Sequence, residues 1–320
     1  MRVDPGLAAF AADPRAMARA QGRVLAAREQ WLGRAPVARV LRDCDALAGG
    51  APWQECANLR ALIEGDDGSA QRFVEGWFTE MADAWRATPL AQMPFRHSYA
   101  GGTAMLHLYR SGRVTLAILA VEPDGGTAPR SIAFTDCERR ERVVAGHGEA
   151  TRYVYREGQP PRVETLGLGP GTVLASDAHH SRVIAAHDAP VLVLRVARDP
   201  ARPALTREVE IASGRIVHRA SASPAEGRAE LAAALLGAMG RADAAPALCA
   251  YACGQAGEGA RWQALRHALA LDTQAGFAAL DTIAEDRGDP LCSPATALRA
   301  QLCTTYPQLA NLRREACLAS

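Results

Sequence analysis

Three imidazoles stand out as groups that could bind a transition metal: His179 and His180 in "SDAHHSRVI", and His107 in "MLHLY". Asp136, Cys137 and Glu138 in "FTDCERRER" add carboxylates and a thiol. His107, His180 and one of these three, such as Asp136, form one conceivable metal-ligand set. Each histidine also has a plainer reading. His107 fits a strand residue hydrogen-bonded in the core or pointing outward, His147 follows a glycine turn at a rim, and His187 sits in a turn between strands. Arg96, Arg130 and Arg195 could hold a carboxylate, because a guanidinium fork matches it bidentately. His97, beside Arg96 and Tyr99 in "FRHSYAGG", could line a pocket mouth. Tyr153 alternates with Thr151 and Tyr155, so the three share one face of a strand. Cys249 and Cys253, four residues apart, share one helix face and read as ordinary buried thiols.

Other chemistries are excluded by what the chain lacks. All 36 basic residues are arginine, so a lysine Schiff base and a lysine-bearing phosphate loop are ruled out. The chain has no G-x-S-x-G and no H-E-x-x-H. "GLGPG" is a turn, and the charge alternation of "CERRER" reads as solvated. A net charge of +1 gives no general attraction for nucleic acid. No stretch reaches the ~20 apolar residues that span a bilayer. The opening residues lack the uninterrupted apolar core of a signal peptide, since Asp4, Asp13 and Arg15 break it, and the cytoplasm is the expected location.

Positioning these groups requires a scaffold, and 320 residues with 48% apolar content can build one large or two to three modest domains. Residues 1–95 are expected to be helical. In "SAQRFVEGWFTEMADAWRA", Phe73, Trp77, Met81 and Trp85 recur every fourth residue, and Val74 and Phe78 widen the stripe. Residues 96–222 change to short β-rich runs separated by turns such as "PDGG" and "REGQPP", which points to an all-β barrel or sandwich. "VLVLRVA" is apolar except for Arg195, and belongs in the core of the sheets. Residues 223–320 return to helical spacing as a C-terminal appendage, with Ser293 and Pro294 expected to open one helix.

Two stretches of the β segment resemble the cupin superfamily, and within it the cysteine dioxygenase-like branch. "GHGEATRYVY" looks like the glycine turn and strand that follow the first metal motif. "GPGTVLASDAHHSRVIAAHDAPVLVLRVARDP" looks like the second motif, with His180 (or its neighbour His179) in the ligand position. The resemblance covers roughly residues 97–200. It implies a double-stranded β-helix, or jelly-roll barrel, flanked by N- and C-terminal helices. It also implies Fe(II) held by three histidines, two of them from an H-x-H in the first motif. Aligned on Gly146, those two positions fall on Ile132 and Phe134, which cannot ligate.

The expectation is therefore a cupin-like barrel that has lost its iron site and binds a small polar molecule in a sensing or accessory role. No cofactor is expected, and the sheet surface would serve homodimerisation. Ile132 and Phe134 would make an apolar floor, and His180, Tyr153 and Arg195 a polar rim, provided the Tyr153 face is the inner one. His97 and Arg96 complete the candidate ligand-binding set. Two alternatives stay open: an iron thiol dioxygenase using His107, His180 and Asp136, and an interaction module whose helical tail docks a partner.

Overall fold

The computed structural model describes residues 12–13, 15–123, 129–201, 205–221 and 223–309. They divide into two compact units. The first runs to residue 201 and includes the segment Glu208–Val217; the second comprises residues 205–207 and everything from His218 onward.

Four helices open the first unit: α1 (Ala16–Gly33), α2 (Ala35–Ala48), α3 (Ala57–Glu64) and α4 (Ser69–Ala87). The aromatic stripe drives their packing. Phe73, Val74, Trp77 and Met81 of α4 are buried, whereas Phe78 remains exposed. Trp31 meets Phe73 edge to face at 5.3 Å, and Trp77 meets Phe95 at 5.7 Å, geometries that the ring quadrupoles favour. This layer shares one core with Leu108, Leu116, Ile118, Val144, Leu194 and Val196 of the sheet beneath it.

That sheet has six strands in the order β1-β2-β3-β10-β5-β8: β1 (His97–Ala100), β2 (Thr103–Ser111), β3 (Val114–Val121), β5 (Glu138–Ala145), β8 (Val173–Ser176) and β10 (Val191–Arg198). A second sheet has the order β7-β6-β9, from β6 (Gly148–Arg156), β7 (Gln159–Leu168) and β9 (His180–Ala186). The strand β4 (Ser131–Phe134) lies beside β9 but belongs to another ladder, with β11 (Leu205–Glu210) and β12 (Ile216–Ser221). Strands β3 to β10 are thus shared between two facing antiparallel sheets, β3-β10-β5-β8 on one side and β4, β9, β6, β7 on the other. This is the double Greek key. The fold is a jelly roll.

The central strands of the first sheet are covered on both faces, by the helices outside and the second sheet inside, and β3 and β10 are accordingly apolar in nearly continuous runs. Gly146 makes the sharp turn into β6. Its φ is +84°, and a Cβ there would fall 2.3 Å from the Pro190 carbonyl oxygen, so only glycine fits.

The second unit is a helical bundle of α5 (Pro224–Ala238), α6 (Ala245–Ala252), α7 (Glu258–Leu271), α8 (Thr273–Glu285) and α9 (Cys292–Thr305). Ala252, Ala264, Leu265, Ala268, Phe277, Leu280 and Ile283 form its core. Arg261 is buried there, donating from Nε to the Ala252 carbonyl at 2.7 Å and pairing with Asp289. Ser293 does not cap α9. The helix begins one residue earlier, with Leu291 at the cap position and no side-chain cap. No helix among the described residues is long and apolar enough to cross a membrane.

Candidate functional site

The site follows from the alternation of β5. In "ERRERVVA", Glu138, Arg140, Arg142 and Val144 point to the helices, which leaves Arg139, Glu141 and Val143 facing the barrel interior. The run is not solvated, as its alternation suggested. Arg142 is buried and donates to the Ile63 carbonyl at 3.1 Å, while Arg140 lies over the Trp53 ring at 4.8 Å. Glu141 is fully buried, at 0% exposure.

Strand register then sets rows across the inner face. His107, Ala117, Arg195, Glu141 and Leu174 are successive partners across β2, β3, β10, β5 and β8. On one side of this row come Met105, Leu119, Val193 and Val143, all apolar; on the other come Thr115, Ala197, Arg139 and Ser176. The second sheet repeats the division. Ala150, Ile184 and Ala186 contribute to the apolar end, and Arg152 and Arg182 stand opposite each other on β6 and β9. The interior therefore has an apolar end and a charged end.

Glu141 ties the two sheets together. Arg195 Nε donates to its Oε1 at 2.5 Å within the first sheet, and Arg182 pairs with its Oε2 from the second. Arg152 pairs with Glu164 at 2.6 Å. Arg152, Arg182 and Arg195 are thus paired with Glu164 or Glu141, whereas Arg139 on the same inner face pairs with neither, and Glu122 also lines the space beside it. Burial holds the Arg182 guanidinium below the usual arginine range, against the pull of Glu141. A groove of about 690 Å³ opens beside β9, lined among others by Leu119, Arg139, Tyr153, Arg182 and Arg195. A smaller cavity of about 80 Å³ lies on the β8 side, bordered by Arg152, Leu174, Ser176, His180 and Arg182.

The residues singled out from sequence are distributed differently from the expected floor and rim. Ile132 and Phe134 do not form the barrel floor. Phe134, only 1% exposed, packs with Tyr153 and Val209, and Ile132 and Tyr155 complete that cluster. Tyr153 and Arg152 are neighbours on one strand and take opposite faces, so the Thr151–Tyr153–Tyr155 face is the outer one. Tyr153 still borders the groove from that side, as Arg195 does from within. His180 borders the smaller cavity instead, its Nδ1 2.7 Å from Asp177 Oδ1. Arg96 and His97 are exposed at the edge of the six-stranded sheet and line neither opening. Glu141, Arg182 and Arg152 are the groups that sequence reasoning missed. Arg195 carried the signal, because a buried arginine in an apolar strand demands a carboxylate on its neighbour.

The iron implied by the resemblance does not fit these residues. Among the described residues no group of three or more His, Cys, Asp or Glu is arranged to hold a metal, so His107, His180 and Asp136 do not form a ligand set. The physical reasons are topological and electrostatic. His107 lies on β2, outside the eight barrel strands, with its pKa lowered by burial and then by Arg96 and Arg110. His180 is at the start of β9, held by Asp177. Glu141, the one fully buried carboxylate among the described residues, is already matched by two arginines, which disfavours a further cation.

No protein family and no curated protein matches this sequence. Among solved structures, HutD from Pseudomonas fluorescens SBW25 is similar at 18% identity, with a TM-score of 0.26, over 33% of this chain and 57% of its own. KdgF from a Halomonas species is similar at 15% identity and a TM-score of 0.26, over 33% and 88%. A cupin protein from Bacteroides fragilis is similar at 18% identity and a TM-score of 0.24, over 34% and 88%. The chain thus spans a little over half the length of HutD. The jelly roll is established by its own strand order.

Proposed function

We propose that the barrel is a binding module for a small amphiphilic anion, acting in a sensing or accessory role without a resident metal. The observation that carries this reading is the division of the interior. A charged end, where the Arg139 guanidinium pairs with neither Glu141 nor Glu164, meets an apolar end of Leu119, Val143 and Val193, and a groove of about 690 Å³ opens onto Arg139, Arg195 and Leu119. Concave sites of this volume suit ligands held by apolar walls and a few convergent polar groups. Arg139 supplies a guanidinium that Glu141 does not neutralise, and a carboxylate is the group it would hold bidentately.

A thermal-shift screen of amino acids, thiols and small aromatic acids tests this. Aromatic and branched acids should raise Tm, and Arg139→Gln should weaken the response at least tenfold in ligand concentration. Equal stabilisation by the corresponding amides, or no response from any acid, would overturn it. Iron analysis of the purified chain separates this reading from an iron dioxygenase, which requires stoichiometric metal.

A further inference from the structure

The wide groove meets β9 in a way that a small acid would leave unused. Ser181, Arg182, Val183, Ile184 and Ala185 line it in succession, so both faces of the strand border one space. Successive side chains of a strand point to opposite faces, and an opening that touches an unbroken run of them lies along the strand's edge. Among the described residues, β9 is hydrogen-bonded to β6 alone. In an antiparallel pair, alternate residues direct their N–H and C=O groups to the neighbour, and the residues between them direct theirs away. The open side of β9 therefore presents backbone donors and acceptors to the groove. Such an edge is a template for one more strand.

Two charges fix the direction that strand would take. Arg139 is opposite Ser176 on β8, and Ser176 borders the small cavity together with His180 and Ser181, so Arg139 lies toward the start of β9. Ala186, at the other end of β9, shares a cluster with Val191, the partner of Val121, and Glu122 follows Val121. Both Arg139 and Glu122 line the groove. Among the described residues neither is in a salt bridge, and Glu122 accepts from the Tyr99 hydroxyl at 2.8 Å. Arg139 is level with Thr115 at the start of β3, whereas Glu122 lies just past its end. At ~3.3 Å per residue, these positions are about 20–25 Å apart along the strand. A small acid reaches one of them. An extended peptide of four or five residues covers about 14–17 Å, and the side chains of Arg139 and Glu122 make up the remainder.

We infer that the ligand of the groove is a peptide of four or five residues with both termini free, added antiparallel to the open edge of β9. The inference rests on the reading of Arg139 as a carboxylate site. The C-terminal carboxylate meets Arg139, the ammonium group meets Glu122, and the backbone extends the β9 ladder. The peptide residue opposite Ile184 points inward with it, against the cluster that holds Leu119, and an apolar side chain fits there.

The test is calorimetric titration of the full chain with the peptide Ala-Val-Thr-Val, with free valine and small aromatic acids as comparisons. The peptide is expected to bind at least tenfold more tightly than any of the acids. Amidation of its C-terminus and Arg139→Gln should each weaken it at least tenfold. Acetylation of its N-terminus and Glu122→Gln should each cost about threefold and should not add, as two halves of one exposed ion pair behave. Circular dichroism confirms that both variants keep the fold. Two further peptides carry a backbone N-methyl group, one on the threonine amide and one on the preceding valine amide. Only one of these amides faces β9, so one peptide should lose at least tenfold in affinity and the other less than threefold. Equal affinities of the two methylated peptides would overturn the added strand. Binding of the acids without tighter binding of the peptide would overturn it too, while the carboxylate site at Arg139 stands. No binding by acids or peptide would overturn both.

Discussion

Arg195 and Glu141 stand directly opposite each other on neighbouring strands, and the Arg195 Nε–H donates to Glu141 Oε1 at 2.5 Å in the middle of the barrel. With Arg182 on the far sheet, they form a buried triad. Removing the carboxylate strands two arginines in low dielectric. Glu141→Gln is therefore expected to cost about 3–5 kcal/mol, the usual penalty for breaking a buried ion pair. Urea denaturation checks this. The triple variant Glu141→Leu, Arg182→Met, Arg195→Met should recover most of the loss, because well-packed apolar residues replace buried charges with little or no penalty.

Phe134 should matter for stability and not for binding. It fills a cluster with Tyr153 and Val209 on the outer side of the second sheet. Phe134→Ala is expected to cost about 3–5 kcal/mol through lost burial and the cavity left behind. The concentration of aromatic acid needed for half-maximal Tm shift should remain within twofold of the parent. A large change in that concentration would show that Phe134 contacts the ligand.

The thiols should differ sharply in reactivity. Burial pushes Cys44 up to about 12 and Cys137 up to about 11. At pH 8 their thiolate fractions are then about 10⁻⁴ and about 10⁻³, and the thiolate is the reactive form. Cys253 is exposed. Alkylation of the folded chain at pH 8, read by peptide mapping, should label Cys253 within minutes and leave Cys44 and Cys137 unlabelled until denaturant is added.

Stability should fall on mild acidification, in part through His107. Burial first, then Arg96 and Arg110, lowers its pKa below the ordinary histidine value. The unfolded chain therefore binds more protons than the folded one once the pH drops below about 6.5, and linkage makes stability decline with falling pH in that window. His107→Gln should flatten the slope of stability against pH between about 6.5 and the folded-state pKa. An unchanged slope would show that His107 is not the group responsible.

How far the sequence could be read depended on which pattern each element followed. The helix at Ser69–Ala87 was legible because a fourth-residue aromatic stripe admits one periodicity. The barrel was legible from its short strands and turns, and "VLVLRVA" from its lack of alternation, which signals cover on both faces. "CERRER" misled because charge on a strand usually means water. Here Glu138, Arg140, Glu141 and Arg142 meet partners across a sheet or from a helix. The partners are far apart in sequence, such as Glu141 with Arg195 and Arg142 with the Ile63 carbonyl. The faces of Tyr153 and Arg152 could not be told apart beforehand, because both strand faces carry mixed residues. Ser293 was read as a cap from local preference, but α9 starts a residue earlier and encloses it.

The central triad also answers a problem that the apolar residues of the first sheet leave open. In β3, β5 and β10, neighbours such as Ile118 and Leu119, Val143 and Val144, or Val193 and Leu194 are apolar on both faces. Greasiness alone would scarcely distinguish the correct alignment of these strands from one displaced by a single residue, although such a slip turns every side chain over. Displacing β5 in this way would swing Glu141 toward the helices and leave Arg182 and Arg195 facing each other without an anion. The paired charges thus single out the native alignment, since the slipped one would bury two guanidiniums without this carboxylate. They contribute little to how tightly the native sheet holds, and much to the rejection of its nearest misaligned rival.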